Sequence, residues 1–271
     1  MFQFREGSGS KILLVHGLGG TWRSWSRVLH DLSDKREVIA IDLPGHGETP
    51  AEADSGTFLG LTNSVERFIE AEGLTGIDIV GSSMSARMAL ELARRGKVGA
   101  CIALDPGGFW HGWEGNYFDA TLLASGVLLR GLKPVLPAMG RNSFLRSLLL
   151  VQLVARPWAL PPGFAAQELM SFAKTETYFK LVGDLYRGPL QIGPSAPGTG
   201  PVVIGWGRKD HLCLPAQAAR ALEQFPEATL HWFDRSGHFP MWDEPEETVK
   251  LILGNTNGLD SRSYFQEAYF N

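Results

Sequence analysis

Cysteine is scarce in this chain of 271 residues, which contains only Cys101 and Cys213. So few thiols exclude the small secreted domains that several disulfides hold together, and two buried, reduced thiols are the simplest expectation. The sequence also has no strong excess of one charge, since it contains 25 basic and 29 acidic side chains and its formal net charge is -4. A general nucleic-acid binder would carry a clear basic excess, so that class of protein is excluded.

Long apolar runs are also missing from the sequence. The Leu-rich stretch over residues 144–155 contains Arg146 and is too short to cross a bilayer, which takes about 20 residues. The opening residues, MFQFREGSGS, lack the basic start and the long apolar stretch of a signal peptide. We therefore predict a cytoplasmic protein without a membrane span.

Glycine and proline are plentiful, with 32 and 16 residues, and they separate short apolar runs from amphipathic stretches. The predicted strands span residues 11–16, 37–42, 77–81, 99–104, 201–206 and 228–234. The predicted helices span residues 22–32, 61–72, 84–95, 215–225 and 244–253. Strands that alternate with helices pair in parallel through crossover connections. The pattern therefore predicts an α/β fold with a mostly parallel sheet covered by helices on both faces.

The alternation is interrupted over residues 107–200, where Leu-rich helical pieces are broken by several prolines. We interpret this region as an inserted helical cap or lid on a core formed by residues 1–106 and 201–256. The polar tail, residues 257–271, is expected to be flexible.

A serine stands at the junction of a predicted strand and helix, in the run GSSMS from Gly81 to Ser85. A sharp strand–turn–helix bend presents the Ser83 hydroxyl to substrate and base, and it needs small neighbours because two backbones approach closely there. The alternative is structural, with Ser82 or Ser83 serving only as the N-cap of the helix that begins at Met84.

A glycine-rich turn, HGLGG from His16 to Gly20, ends an earlier strand. Acyl-transfer enzymes need two N–H donors aimed at a tetrahedral oxyanion, and the backbone amides of Leu18 and Met84 are the candidates. Taken alone, this pentapeptide is more typical of a tight turn with no catalytic role.

Two further residues follow strands beyond the inserted region: Asp210 in GWGRKD and His238 in SGH. A serine hydroxyl becomes a good nucleophile when a histidine removes its proton and a carboxylate orients that histidine. Ser83, Asp210 and His238 occur in the order in which such residues follow successive strands. Asp105, which also ends a strand, is the alternative acid.

These motifs, together with DLPGHG from Asp42 to Gly47, make residues 11–253 resemble the α/β-hydrolase superfamily, in its serine esterase and carbon–carbon-hydrolase branch with a helical cap. The resemblance implies Ser83 as nucleophile, His238 as base and Asp210 as orienting acid, with the oxyanion hole at Leu18 and Met84. The sequence departs from the pattern at Ser85, where that branch usually has glycine, and at Glu48, which replaces a small polar residue.

No cofactor is implied. The seven histidines show no metal-ligand spacing with a nearby carboxylate, so no metal site is predicted. The glycines from Gly17 to Gly20 do not form a dinucleotide fingerprint. The expected partner is a small-molecule ester or a related carbonyl compound, not a nucleic acid.

The cap bears on the substrate, because ligands bind at the edge of the sheet that such caps cover. Trp22, directly after the glycine-rich turn, and Trp110 in the cap are candidate pocket residues. The cap is locally basic. Its arginines are either solvated, with the aromatic residues packing the cap onto the sheet, or one of them pairs with a substrate carboxylate.

The sequence therefore predicts a serine hydrolase, a carboxylesterase that acts on esters of small to medium, largely apolar acyl groups through an acyl-enzyme. A lactonase or a carbon–carbon bond hydrolase would use the same three residues. A non-catalytic ligand-binding module on this fold is the alternative from a different class.

Overall fold

The computed structural model describes residues 1–256 and contains one sheet of seven strands. The strands are β1 (Gln3–Glu6), β2 (Lys11–Val15), β3 (Glu37–Ile41), β4 (Asp78–Ser82), β5 (Cys101–Leu104), β6 (Val202–Gly207) and β7 (Thr229–Phe233). They lie in the order β1-β3-β2-β4-β5-β6-β7. Only β1 runs antiparallel to its neighbour, and the remaining pairs are parallel.

Eleven α-helices accompany the sheet within the described residues. They are α1 (Ser26–Ser33), α2 (Phe58–Ala71), α3 (Met84–Arg94), α4 (Trp113–Gly131), α5 (Leu136–Arg141), α6 (Ser143–Leu150), α7 (Pro162–Lys174), α8 (Tyr178–Arg187), α9 (Gln217–Gln224), α10 (Pro240–Asp243) and α11 (Pro245–Asn255). The predicted helix over residues 22–32 is in fact a short 3-10 turn, Trp22–Trp25, followed by α1.

The predicted fold class is confirmed, and each of the six predicted strands has a counterpart in β2 to β7. The pattern does not predict β1, because its residues, QFRE, are half-buried or exposed and form no apolar run. An antiparallel strand at the edge of a sheet is covered less completely than the central strands, so it needs no continuous hydrophobic sequence.

The central strands are apolar because helices cover both faces of the sheet. Along β2, Leu13 and Val15 pack into the layer that contains buried residues of α2 and α3. Ile12 and Leu14 point to the opposite layer, with buried residues of α1 and α11. Successive side chains of a strand point to opposite faces, so a strand buried on both sides must be hydrophobic throughout.

Five helices, α4 to α8, lie between β5 and β6 in the chain. The segment after α6 is attached to the core through the Asp243 carboxylate, which accepts the backbone N–H groups of Ala155 at 2.8 Å and Arg156 at 3.1 Å. The same carboxylate accepts the N–H of Gly237 at 2.9 Å. One buried side chain therefore holds the inserted helices and the loop after β7 together.

We propose that residues 107–200 act as a cap on a core made of residues 1–106 and 201–256. The predicted flexible tail, residues 257–271, lies outside the described residues. Within residues 1–256, none of the helices is both long and apolar enough to cross a membrane.

A buried ion pair joins the amino-terminal ends of three central strands, and its loss should destabilise the protein. Arg36 and Asp78 form a 2.8 Å contact with side chains only 5% and 14% exposed, and Arg36 also donates to the carbonyl of Lys11. Removing one partner leaves the other charge buried and unpaired, so Arg36→Met should lower the free energy of unfolding by about 3 kcal/mol. Urea denaturation measures this change.

The matched control is Arg67→Met. Arg67 pairs with Glu52 at the same 2.8 Å, but the two side chains are 62% and 47% exposed. An exposed pair contributes at most about 1 kcal/mol. Equal losses of stability in the two variants would contradict the role assigned to burial at Arg36.

Candidate active site

Ser83 occupies a strained turn between β4 and α3. Its backbone has φ 60° and ψ -117°. Residues other than glycine rarely adopt a positive φ. The turn is tight: a Cβ placed on Gly81 would lie 2.1 Å from the carbonyl oxygen of Ser85. Glycine is therefore required at position 81. The Ser83 side chain projects away from the sheet, as expected for a nucleophile elbow.

Ser85, the departure from the usual glycine, has a defined structural contact. Its hydroxyl oxygen accepts the N–H of Ser82 at 3.1 Å and lies 2.5 Å from the carbonyl oxygen of Val15 at the end of β2. The side chain is completely buried. The extra hydroxyl thus links the elbow to the neighbouring strand and does not disturb the bend.

Three side chains that are distant in sequence form a continuous hydrogen-bonded chain. Nε2 of His238 lies 2.7 Å from Oγ of Ser83, and Nδ1 of His238 lies 2.7 Å from Oδ2 of Asp210. His238 and Asp210 are essentially inaccessible to solvent, while Ser83 is 8% exposed. A hydroxyl bonded to an imidazole that is bonded to a buried carboxylate is the arrangement required for general-base activation of an alcohol.

The structure separates the two candidate acids, Asp210 and Asp105. Asp210 contacts His238 through Oδ2, while its Oδ1 accepts the N–H groups of Leu212 at 2.8 Å and Cys213 at 3.0 Å. Asp105 instead accepts the N–H of Gly207 at 2.8 Å. Burial, reinforced by the charge of Asp210, raises the pKa of Asp105 well above its usual range, which favours its neutral form.

The glycine-rich turn lies beside Ser83, and both proposed oxyanion-hole residues, Leu18 and Met84, line the same cavity as Ser83 and His238. Met84 is the first residue of α3. Backbone N–H groups at the start of a helix have no partner inside the helix, so the Met84 amide is free to serve an oxyanion.

Two residues hold this turn: the buried His16, against which the ring of His46 packs at 5.1 Å, and Ser171 of the cap. Nδ1 of His16 bonds the carbonyl of Gly17 at 2.8 Å, and Nε2 accepts the N–H of Leu43 at 3.1 Å. Burial lowers the pKa of His16 to about 4 and that of His46 to about 3, so both are neutral at pH 7. From the cap, the Ser171 hydroxyl donates to the carbonyl of Gly19 at 2.7 Å.

The cavity at Ser83 has a volume of about 220 Å³ and is lined largely by apolar side chains of the sheet edge and of α4, α6 and α7. Trp110 lines it, as predicted from the sequence. Trp22 does not: its ring stacks on Phe4 at 4.3 Å, and its backbone N–H donates to Asp42 at 2.7 Å. The prediction for Trp22 is wrong because the 3-10 turn that it begins directs the ring towards β1.

Arg87 is a cavity residue that the sequence analysis missed. It lies on α3 four residues after Ser83, one helical turn along the same face. Its guanidinium is almost fully buried, covers the Phe58 ring at 4.0 Å and donates to Gln191 at 3.3 Å. Burial lowers the pKa of Arg87 to about 10, so it remains a cation at pH 7.

The basic residues of the cap, in contrast, do not line the cavity. Arg146 is buried, yet its guanidinium donates to the backbone carbonyls of Pro157 and Trp158. Arg130 donates to the carbonyl of Thr175 at 2.8 Å. The position of Arg87 relative to Ser83 was the signal in the sequence that could have identified the cation at the site.

Asp210, Cys213 and His238 place one possible metal-ligand atom each within 4.8 Å of one another. However, Nδ1 of His238 already bonds Asp210. Burial raises the pKa of the Cys213 thiol well above its usual range, and it is the thiolate that binds metals. The chemistry of this group favours the hydrogen-bonded chain over a metal site.

A buried carboxyl group stands behind the glycine-rich turn. Glu168 of α7 has no exposed surface and accepts a 2.7 Å hydrogen bond from the Ser24 hydroxyl, just after the turn. Burial raises the pKa of Glu168 to about 7, against the opposing effects of Ser24 and Arg23, and the charge of Asp42 adds to the rise. The carboxyl is therefore largely protonated below neutral pH.

This raised pKa makes stability depend on pH. An acid whose pKa is raised by folding favours the folded state below its unfolded value, about 4.5, and that contribution is lost as the pH rises through about 7. Glu168→Gln keeps an acceptor for Ser24 without the titration. The variant should therefore gain about 3 kcal/mol of stability relative to the wild type between pH 4 and pH 8, as measured by urea denaturation. If the difference in free energy of unfolding between Glu168→Gln and the wild type did not change with pH, the raised pKa assigned to Glu168 would be contradicted.

Several curated proteins are similar over almost the whole chain. The dihydrolipoyllysine-residue acetyltransferase component of the acetoin cleaving system of Cupriavidus necator is 27% identical, over 94% of this chain and 66% of that protein. The protein of the same name from Pseudomonas putida is 26% identical, over 93% of this chain and 65% of that protein. The chain thus spans just under two thirds of the length of these two relatives. The 2-hydroxy-6-oxononadienedioate/2-hydroxy-6-oxononatrienedioate hydrolase of Comamonas testosteroni is 26% identical, over 91% of this chain and 87% of that protein.

Solved structures share the fold. A thermophilic esterase from Thermogutta terrifontis superimposes with a TM-score of 0.72 at 18% identity, over 98% of this chain and 93% of that one. The enol-lactonase from Burkholderia xenovorans LB400 superimposes with a TM-score of 0.73 at 18% identity, over 93% of this chain and 95% of that one. Residues 12–251 match the sequence profile of the Alpha/beta hydrolase family. The chain therefore belongs to the Alpha/beta hydrolase family.

Proposed function

We propose that this hydrolase is a serine carboxylesterase that cleaves esters with a small to medium, largely apolar acyl group. The observation that carries the proposal is the hydrogen-bonded chain from Ser83 through His238 to Asp210, with Ser83 lining an apolar cavity. The strained backbone of Ser83 supports the same conclusion, because such strain persists where a structure positions a reactive group.

In the first half-reaction, Nε2 of His238 takes the proton of the Ser83 hydroxyl as Oγ attacks the ester carbonyl carbon. The backbone amides of Leu18 and Met84 stabilise the oxyanion that forms. The imidazolium, held in place by Asp210, then gives its proton to the leaving alcohol as the carbon–oxygen bond breaks. The acyl group remains on Ser83.

In the second half-reaction, water takes the place of the alcohol. His238 removes a proton from the water as its oxygen attacks the acyl carbon, and then returns that proton to Oγ of Ser83. The carboxylic acid leaves and the free serine is restored. Asp210 keeps the imidazole oriented throughout, since two backbone N–H groups and the imidazole all donate to its carboxylate.

The lining of the cavity supports an apolar acyl group. Leucine, phenylalanine and tryptophan side chains form most of its wall, including Trp110, Phe118 and Leu122. Burying an apolar chain against such residues is favourable, by about 25 cal/mol per Å² of surface. The fully buried relay also disfavours a purely binding role, because a binding module gains nothing from three aligned, desolvated polar groups.

Arg87 favours a second candidate, a carbon–carbon bond hydrolase for an acidic substrate. The relative from Comamonas testosteroni is named for dicarboxylate substrates. Among the described residues that line the cavity, Arg87 is the only lysine or arginine. Its guanidinium is the group that would pair with a substrate carboxylate.

Active-site labelling tests the proposed nucleophile. A fluorophosphonate reacts with a serine activated by its histidine, so the wild type should be labelled and Ser83→Ala should not. Ser125→Ala, which removes another hydroxyl from the lining of the cavity, is the matched control and should keep its label. Absence of labelling in the folded wild type would overturn the hydrolase mechanism.

Kinetics test the base. His238→Ala should lower kcat by about 1,000-fold or more, because Oγ then has no proton acceptor. Circular dichroism should show that the variant is folded. Turnover close to that of the wild type would mean that another residue is the base.

A substrate panel separates the two candidates. An esterase should turn over apolar esters of graded acyl length, and Arg87→Gln should change kcat/KM for them by less than about threefold, since no charge is being paired. A hydrolase for acidic vinylogous diketones should lose about 100-fold in kcat/KM in the same variant, mostly through KM. If Arg87→Gln lost kcat/KM strongly for neutral esters but not for acidic diketones, both assignments of Arg87 would be contradicted.

A further inference from the structure

The outer surface of the cap is unusually apolar. Eleven large hydrophobic side chains are exposed in the described residues, and eight of them lie between Trp113 and Trp158. Single exposed apolar residues are common on proteins, but a concentration of this kind marks a surface that contacts something other than water.

These side chains form a stripe along α6 and an adjacent exposed pair on α4. On α6 and the residue that follows it, Phe144, Leu148 and Val151 are spaced four and three residues apart and are 69%, 61% and 61% exposed. On α4, Val127 and Leu128 are 65% and 52% exposed. Residues three and four apart share one face of a helix, so α6 presents an apolar face to the outside.

Exposed side chains of both helices reach the mouth of the active-site cavity. Leu128 from α4 and Leu148 and Val151 from α6 all line the cavity that contains Ser83. A residue that lines a cavity and is also more than half exposed must stand where the cavity opens. The apolar surface therefore borders the entrance to the site.

The charge of this surface has one sign. Residues 113–158 contain five basic and two acidic residues, in a chain whose formal net charge is -4. Of the two acids, Glu114 is buried against Arg220 and Asp119 is half-buried, whereas Lys133 and Arg141 are exposed. Neither of these cations has a salt-bridge partner within residues 1–256. They stand close in sequence to exposed apolar residues, Lys133 to Val135 and Arg141 to Phe144.

We propose that this cap surface, formed by the exposed residues of 113–158, docks on the surface of an anionic lipid bilayer. Apolar side chains with flanking cations and no exposed acid are the pattern of segments that lie in the membrane interface, where the apolar groups enter the acyl region and the cations face anionic headgroups. A second copy of the chain fits this surface less well, because it would place like charges opposite each other. Docked in this way, the cavity mouth opens directly onto the lipid.

Vesicle flotation with the full chain tests the proposal. Binding needs no turnover, so it is measured on both the wild type and Ser83→Ala, and a failure of docking is thereby distinguished from a failure of the proposed hydrolysis. Both proteins should float with phosphatidylcholine vesicles that contain about one third phosphatidylglycerol. Their affinity for pure phosphatidylcholine vesicles should be about tenfold lower, and high salt should remove that difference.

Two variants separate the apolar and the charged contributions. Phe144→Ser should weaken binding to both kinds of vesicle by about tenfold, because an aromatic ring no longer enters the interface. The double variant Lys133→Gln/Arg141→Gln should weaken binding to the anionic vesicles alone, also by about tenfold or more. The matched controls are Ile192→Ser, 58% exposed outside the cap surface, and Arg67→Gln on α2, and neither should change binding.

Three results would overturn the proposal. The first is a folded wild type that floats with neither vesicle. The second is an equal loss of binding in Phe144→Ser and Ile192→Ser. The third is a dimer, detected by sedimentation without lipid, that Phe144→Ser dissociates, since the apolar surface would then belong to an interface between copies of this chain.

Discussion

The site depends on one backbone constraint, the left-handed conformation of Ser83 between β4 and α3. Holding a residue with a Cβ in this conformation costs about 1–3 kcal/mol, and it persists only where the surroundings determine it. Here the surroundings are a glycine at position 81 that lets α3 approach the strand, and the hydroxyl of Ser85 that joins the turn to β2. With the turn in place, Oγ points at His238 and the amino-terminal end of α3 faces the same cavity.

Parallel pairing brings the other parts of the site to this turn. Because β4, β6 and β7 run in the same direction, the loops that follow them lie at one edge of the sheet. Asp210 and His238 are carried on two of those loops, and backbone N–H groups hold the Asp210 carboxylate in position. The relay is thus built from residues whose orientation is determined by main-chain contacts.

The inserted helices have two distinct surfaces. Inwardly, they complete the site: α7 contacts the glycine-rich turn through Ser171 and the 3-10 turn after it through Glu168, and Asp243 ties the segment after α6 to the loop of His238. Outwardly, the same helices expose apolar side chains around the cavity mouth. The inner contacts account for the buried polar residues of these helices, and the docking surface proposed above accounts for the hydrophobic residues that they expose.

The sequence by itself predicted the central strands β2 to β7 and pointed to Ser83 and His238, because parallel strands buried on both faces leave continuous apolar runs and because a serine elbow requires small residues at defined positions. It did not determine where long side chains point. Trp22 turned towards Phe4, Arg87 came to line the cavity, and Asp210 rather than Asp105 met the imidazole. Each of these outcomes depends on contacts between segments far apart in the chain, which local patterns do not encode and only the tertiary structure decides.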